Sequence, residues 1–193
     1  EGQITLSNEG VHFKYPRQAM QKEVAFVPGD RASEGVMLSR SIMENLHLPS
    51  WSKYGLPLSI DRARQDATQM ADDLNIVMDT LDSPVSSLSG GNAQKVVIGK
   101  GLLTKPKVLL MDEPTRGIDV GAKSDVFEIT NRMANEKFGI VLVSSELEEI
   151  FSMSDRIIVL SKGKVTGVFN RAEATEEKVR KASEIGHGIT SIA

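Results

Sequence analysis

Two short segments of the sequence carry residue types that bind phosphate or handle water and magnesium. The first, LSGGNAQK at residues 88–95, places Ser89, Gly90 and Gly91 at the predicted start of a helix. Ser89 is a favourable N-cap, and glycines at a helix start leave backbone N–H groups open to close approach. Together with the helix dipole, these N–H groups form an anion site. Taken alone, the segment is equally compatible with an ordinary glycine turn before a helix.

The second segment is a strand-sized apolar run that ends in two acids, VLLMDEP at residues 108–114. Because α/β proteins bind ligands at the carboxyl ends of parallel strands, Asp112 and Glu113 are expected at such a site. Neighbouring strand residues point to opposite faces, so both carboxylates reach one site only where the strand ends, at Pro114. Asp112 is a candidate Mg²⁺ ligand through water, and Glu113 a candidate to orient or deprotonate an attacking water. The alternative is a strand that runs out into a charged loop.

The elements that would position these residues predict an α/β fold with a parallel sheet. Apolar runs at 108–111, 140–143 and 157–160 are typical of strands buried on both faces of such a sheet. Further strands are predicted at 3–6, 24–27 and 164–169, and helices at 62–74, 93–103, 123–136, 146–153 and 175–183.

Composition excludes several classes of protein. The 193 residues are 40% hydrophobic and 25% charged, the balance of an ordinary globular chain. No cysteine is present, which excludes a disulfide scaffold and a thiolate metal site, and the net charge of −3 argues against nucleic acid as a partner. The chain opens at Glu1 without an initiator methionine or a signal-like stretch, so we expect a fragment.

Together, the two segments resemble the ABC-type ATPases. Ser89, Gly90 and Gly91 match the signature motif of that family, and Asp112 and Glu113 match its Walker B acids. The form of the following segments resembles the second ATPase domain of sugar importers of the ribose, galactose and xylose type. These segments are a D-loop at 115–123, a switch region at 143–146 and 154–157, and a Q-loop at 27–35.

The sequence departs from the family in three places. No Gly-x-x-x-x-Gly-Lys-Ser/Thr phosphate loop (Walker A) occurs, and the near miss GIDVGAKS at 117–124 has the wrong spacing and matches the D-loop instead. The Q-loop glutamine position falls on Gly29 and the switch histidine position on Ser145, so both are expected to be degenerate. We therefore expect the C-terminal part of an ATPase domain, N-terminally truncated, which alone is inactive.

The resemblance implies an ABC-type ATPase core with a parallel sheet and an α-helical subdomain. The implied parts are a remnant of the nucleotide-binding core at 1–38, the helical subdomain at 39–85, the signature and Walker B part at 86–183, and a loose tail at 184–193. The implied cofactors are ATP and Mg²⁺, with Asp112 and Glu113 as the catalytic residues. The implied nucleotide contacts are Ser89, Gly90, Gly91, Asn92, Gln94 and Asp119.

The resemblance also implies partners and a location. The ATP site would be completed by the N-terminal ATPase half of the same parent or by a second copy. Membrane permease subunits would contact the helical subdomain and residues 31–38, with a periplasmic sugar-binding protein as an indirect partner. The location would be cytoplasmic, on the inner face of the bacterial cell membrane. Two alternatives stay open: an ABC-type ATPase without a transport role, and a degenerate helper module that lends its signature helix but never turns over ATP.

Overall fold

A computed structural model describes residues 2–185. The chain forms two compact units, Glu1–Val143 and Ser144–Ala193. The first unit contains β1 (Ile4–Leu6), β2 (Glu9–Val11), α1 (Pro16–Gln21), β3 (Val24–Val27), α2 (Ile42–His47), α3 (Ile60–Asp73), α4 (Gly90–Leu102), β4 (Val108–Asp112), α5 (Val120–Asn135) and β5 (Gly139–Val143). The second contains α6 (Leu147–Met153), β6 (Arg156–Ser161), β7 (Lys164–Asn170) and α7 (Glu176–Glu184). Most of the predicted tail lies outside the described residues. No described helix is long and apolar enough to cross a bilayer.

A three-stranded parallel sheet forms the centre of the first unit, in the order β3-β4-β5. This confirms the predicted α/β fold with a parallel sheet. Val27 at the end of β3 lies opposite Met111 near the end of β4. The segments that leave these two strands, at Pro28 and at Asp112, therefore begin side by side at one edge of the sheet.

The prediction of burial on both faces, made for the runs at 108–111 and 140–143, is wrong for β5. One face of the sheet packs against helices and buries Leu109 completely. The other face leaves Phe26, Val141 and Val143 each 54% exposed. An apolar run predicts that a strand can be buried, but it does not say whether a second layer is present to bury it.

The strand predicted at 157–160 does not belong to a parallel sheet. In the second unit β6 pairs antiparallel with β7 across a turn at Lys162 and Gly163, both with positive φ. Its burial alternates, with Ile157 only 4% exposed and Ile158 50% exposed. Strands joined by a two-residue turn of this kind pair antiparallel, and a period-2 pattern follows from packing on one face.

Helices α2 and α3 bury a histidine between them. The Nε2 of His47 lies 2.7 Å from the backbone oxygen of Ala63, so this nitrogen carries the proton and donates it. The imidazole is fully buried and meets the ring of Tyr54 edge-on at 4.9 Å. Burial lowers the pKa of His47 below its ordinary value of 6.5, because the charged form loses its hydration.

Helix α4 has nine buried residues, and several of its contacts with neighbouring elements are made at glycines. A Cβ at Gly101 would lie 3.6 Å from Ala25 of the sheet, and one at Gly99 would lie 2.9 Å from Leu46 of α2. At Gly91 the corresponding position is only 2.4 Å from the Cβ of Ala122 in α5. Since real Cβ atoms do not approach so closely, the α4–α5 contact requires glycine at this position.

The first prediction concerns this contact. Gly91→Ala lowers the free energy of unfolding by about 1–3 kcal/mol, because the new methyl group overpacks a fixed helix pair. Gly101→Ala is the matched control in the same helix: its methyl group would meet neighbours at 3.6 Å, an ordinary contact, so stability stays the same or rises. Urea denaturation of the two variants measures the difference. Equal stabilities of the two variants would contradict the packing described. A Gly91→Ala/Ala122→Gly double variant that recovers none of the stability lost in Gly91→Ala would contradict it as well.

The second prediction concerns pH. Because folded His47 has the lower pKa, the unfolded chain binds more protons, so this contribution to stability is present above pH 6.5 and is lost as the pH falls. Between about pH 7.5 and 5.5 the free energy of unfolding drops, and His47→Gln makes the drop smaller. His12→Gln, at an exposed position, is the control and leaves the wild-type drop in place. A His47→Gln variant with an unchanged pH dependence would show that His47 does not cause it.

Candidate functional site

The site begins at the N-terminus of α4, where the sequence predicts an anion site. Ser89 is the N-cap, as predicted, and its Oγ accepts hydrogen bonds from the backbone N–H of Asn92 at 3.4 Å and from Asn92 Nδ2 at 3.0 Å. Ser89 is exposed and Gly90 half-buried, whereas the helix beyond them is almost entirely buried. The start of α4 is therefore the part of this helix that a ligand can reach.

Two of the residues predicted to contact a nucleotide point elsewhere. Asn92 Oδ1 accepts the backbone N–H of Val77 at 2.8 Å, which attaches α4 to the segment after α3. Gln94 is 2% exposed, and its Nε2 has no hydrogen-bond partner among the described residues. In this arrangement Asn92 is engaged with Val77 and Gln94 is buried. Their roles as nucleotide contacts stay predictions.

The two acids lie where the strand ends, as the sequence predicts. Asp112 is the last residue of β4, and the N–H of Glu113 donates to the backbone oxygen of Val143 at 2.8 Å. Glu113 has a φ of 41°, a left-handed backbone that costs a non-glycine residue about 1–2 kcal/mol. The N–H of Arg116 closes the turn on the Glu113 oxygen at 3.0 Å. The acids are thus turned out of the sheet by a strained, hydrogen-bonded bend.

Gly29, the predicted degenerate Q-loop position, lies against these acids. A Cβ at Gly29 would be 3.2 Å from the Asp112 backbone oxygen, 3.3 Å from Asp112 Oδ2 and 3.5 Å from the Glu113 Cβ. The structure therefore brings three of the predicted site residues together at the end of β4. A longer residue at position 29 would have to displace Asp112 slightly.

Asp119 caps helix α5. Its Oδ1 accepts the backbone N–H of Ala122 at 3.0 Å, and the residue is exposed. Because Ala122 also packs on Gly91, the start of α5 and the start of α4 lie side by side. Asp119 is in this way placed near the anion site, and its contact with a nucleotide stays a prediction.

Arg31 joins these pieces, although the sequence predicts for it only a place in the Q-loop and in the permease-contacting segment 31–38. Its Nη1 donates to the backbone oxygen of Arg116 at 2.8 Å and its Nη2 to that of Gly117 at 3.0 Å. The same Nη2 lies 2.9 Å from the position of a Cβ at Gly90. These contacts link residues 85 and 86 positions apart, so no local sequence pattern predicts them.

Ser145, the predicted degenerate switch position, belongs to the second unit. It is exposed and follows Ser144, whose Oγ donates to Glu149 Oε2 at 2.7 Å and accepts the N–H of Glu146 at 3.0 Å. These bonds shape the turn that leads into α6. The role of Ser145 stays a prediction.

The donor chemistry at the end of β4 suits Mg²⁺ only together with other ligands. Among residues 2–185 no group of three or more histidine, aspartate or glutamate side chains could hold a metal. Magnesium commonly takes one or two carboxylates and completes its shell with waters and substrate phosphates. Asp112 is a carboxylate of that kind, so the residues present fit Mg²⁺ bound with a phosphate ligand.

Comparison with known proteins gives a consistent result. The family model described as ABC transporter matches residues 1–116. The chain is 45% identical over 180 residues to a xylose import ATP-binding protein of Moorella thermoacetica, an alignment that covers 93% of this chain and 36% of that protein. It is 42% identical over 181 residues to a ribose import ATP-binding protein of Caldanaerobacter subterraneus, an alignment that covers 92% of this chain and 36% of that protein.

Solved structures show the same fold. An ATP-binding cassette in a dimeric post-hydrolysis state bound to ADP and Pi matches with a TM-score of 0.74 at 20% identity, covering 89% of this chain and 74% of that one. A nucleotide-free ATP-binding cassette matches with a TM-score of 0.75 at 20% identity, and the match covers 94% of this chain and 73% of that one. The chain spans 36% of the length of the curated relatives described above. By its sequence, its site motifs and its fold, it belongs to the ABC transporter family of ATP-binding proteins.

Proposed function

We propose that this chain is part of the ATP-binding subunit of a sugar importer and completes an ATP site held mainly by another ATPase domain. The observation that carries this proposal is the exposed start of α4, with Ser89 and two glycines, beside the exposed loop before Asp119. The names of the import proteins that resemble it support the sugar class. The other ATPase domain is the N-terminal half of the same parent or a second copy.

The α4 start contributes hydrogen-bond donors and a positive potential. The first N–H groups of a helix have no partner within the helix, and they point along the axis at whatever lies beyond. The helix dipole favours the negative charge of a phosphate at these donors, and the side chain of Ser89 beside them is exposed. In the proposed complex the nucleotide is held by the partner's phosphate loop, and Ser89, Gly90 and Gly91 close over its terminal phosphate.

The acids at the end of β4 serve the ATP site of this domain. Asp112 would hold Mg²⁺, and Glu113 would orient or deprotonate the attacking water. Magnesium, when bound, neutralises part of the phosphate charge. Gly29 has no side chain with which to contact the metal or the water. We therefore propose that this site is the weaker of the two.

We propose that the helical subdomain, residues 39–85, contacts the permease. Three apolar side chains there are strongly exposed: Leu56 at 101%, Leu58 at 40% and Ile60 at 47%. Exposed apolar groups in one short segment mark a surface that another protein can cover. We assign this surface, together with residues 31–38, to membrane permease subunits on the inner face of the cell membrane, with a sugar-binding protein acting through the permease.

A helper module without turnover of its own is the second candidate, favoured by Gly29 and Ser145. The third prediction separates the two in the full-length polypeptide that carries these residues. Ser89→Arg abolishes ATP hydrolysis, because a long cationic side chain fills the space in front of the helix start. Glu113→Gln leaves turnover largely unchanged for a helper module and abolishes it where both sites work.

The measurement is the steady-state rate of phosphate release. Ser86→Arg and Glu128→Gln are the matched controls, since both residues are exposed and lie outside the proposed site. Wild-type rates in both controls show that charge and size changes by themselves are harmless. If Ser89→Arg retained the wild-type rate, the α4 start would have no part in the reaction.

The fourth prediction concerns the chain by itself. The 193 residues contain no phosphate loop, the main source of affinity in P-loop proteins, so Mg-ATP does not bind saturably at micromolar concentration. Titration with a fluorescent ATP analogue, competed by unlabelled ATP, measures this. An intact ATP-binding cassette in the same assay is the positive control. Tight, competable binding would reveal a phosphate site elsewhere in the chain and overturn the shared-site proposal.

A further inference from the structure

We infer that Arg31 is a positioning residue that fixes the loop of residues 114–119 beside the start of α4. The inference deepens the proposed function and rests on it, because the two features that it joins are those that would meet the partner's nucleotide. Arg31 itself contacts backbone, so we assign it no contact with ATP.

The guanidinium of Arg31 makes a two-point contact. Nη1 and Nη2 donate at 2.8 and 3.0 Å to the oxygens of Arg116 and Gly117, two successive residues of the loop. A guanidinium is a planar fork, so two parallel bonds fix both the position and the orientation of what they hold. A lysine ammonium is a point charge on a flexible stem and cannot reproduce this geometry.

The loop depends on this contact for part of its hydrogen bonding. Two of its internal bonds run from the N–H of Arg116 to Glu113 and, at 3.4 Å, from the N–H of Ile118 to Thr115. Gly117 has a φ of 67°, which turns the chain sharply. The oxygens of Arg116 and Gly117 are satisfied by Arg31, a residue from a distant segment, rather than by a neighbour in the loop.

Arg31 is itself held by a turn that is anchored on α4. Residues Arg31–Gly35 form one π-helical turn, and Asp30 Oδ1 accepts two of its N–H groups at 3.1 Å each. At the far end a Cβ on Gly35 would be 2.9 Å from Val97 of α4, and Lys100 Nζ donates to the Gly35 oxygen. The turn therefore connects α4 at one end to the loop at the other.

This arrangement makes the helix start and the loop one unit. Nη2 of Arg31 lies 2.9 Å from the Cβ position of Gly90, so the guanidinium fills the space between Gly90 and Gly117. If the side chain of Arg31 is shortened, that space opens and the loop loses its side-chain connection to α4. Since a small misplacement of a site group can slow a reaction many-fold, the effect falls on the rate rather than on affinity.

The fifth prediction is first tested without activity, on the 193-residue chain. In Arg31→Ala the amides of Arg116, Ile118 and Ala122 exchange hydrogen for deuterium at least about tenfold faster, because the loop opens locally. In Arg31→Lys the same amides exchange at rates between those of Arg31→Ala and wild type. Arg40→Ala is the matched control: Arg40 is exposed and pairs only loosely, at 3.5 Å, with Glu44. Unchanged exchange in Arg31→Ala overturns the inference.

The second readout is ATP hydrolysis by the full-length polypeptide. Arg31→Ala lowers kcat about tenfold or more and leaves the KM for ATP within about twofold, and Arg31→Lys recovers part of kcat. An increase in KM at unchanged kcat would make Arg31 a direct ligand contact and overturn the inference. If wild type itself does not hydrolyse ATP, the proposed function fails while the exchange data still decide the role of Arg31.

Discussion

Everything at the candidate site depends on the close packing of helix α4, which glycines make possible. Nine of its 13 residues are buried, and it touches the sheet, the helical region and α5 at once. Approaches as close as those at Gly91 and Gly99 fix the position of α4 against its neighbours. A helix held in this way presents its N-terminus at a fixed point, and a preorganised set of backbone donors loses little entropy when it binds an anion.

The sequence predicts the parts of the site that depend on local chemistry. The cap at Ser89, the start of α4 and the end of β4 at the two acids follow from residue types within a few positions of one another, and the structure confirms all three. Helix α7, predicted at 175–183, likewise begins within one residue of its expected start. Such features can be predicted from the sequence because the interactions that create them join residues only a few positions apart.

The parts that the sequence misses depend on distant contacts. The pairing of β6 with β7 and the exposure of Val141 and Phe26 are decided by which layers meet, and an apolar run is the same in either case. Likewise, Arg31 is one arginine in a polar loop, and its bonds to residues 85 and 86 positions away leave no periodic signal. The burial of Gln94, which is 2% exposed, also depends on what packs around α4 and leaves no signal in the local sequence.

Gly29 shows how the size of one residue is tied to the backbone around it. Because Gly29 has no Cβ, the segment after β3 passes close to Asp112: a Cβ at Gly29 would lie 3.2 Å from the Asp112 backbone oxygen. Glu113, beside it, already has a strained backbone. A glutamine at position 29 would therefore push on Asp112 as well as add a polar group. Two residues later, Arg31 reaches from the same segment toward the start of α4. One short segment thus leaves room beside the two acids and supports the start of α4, so both predicted site regions depend on it.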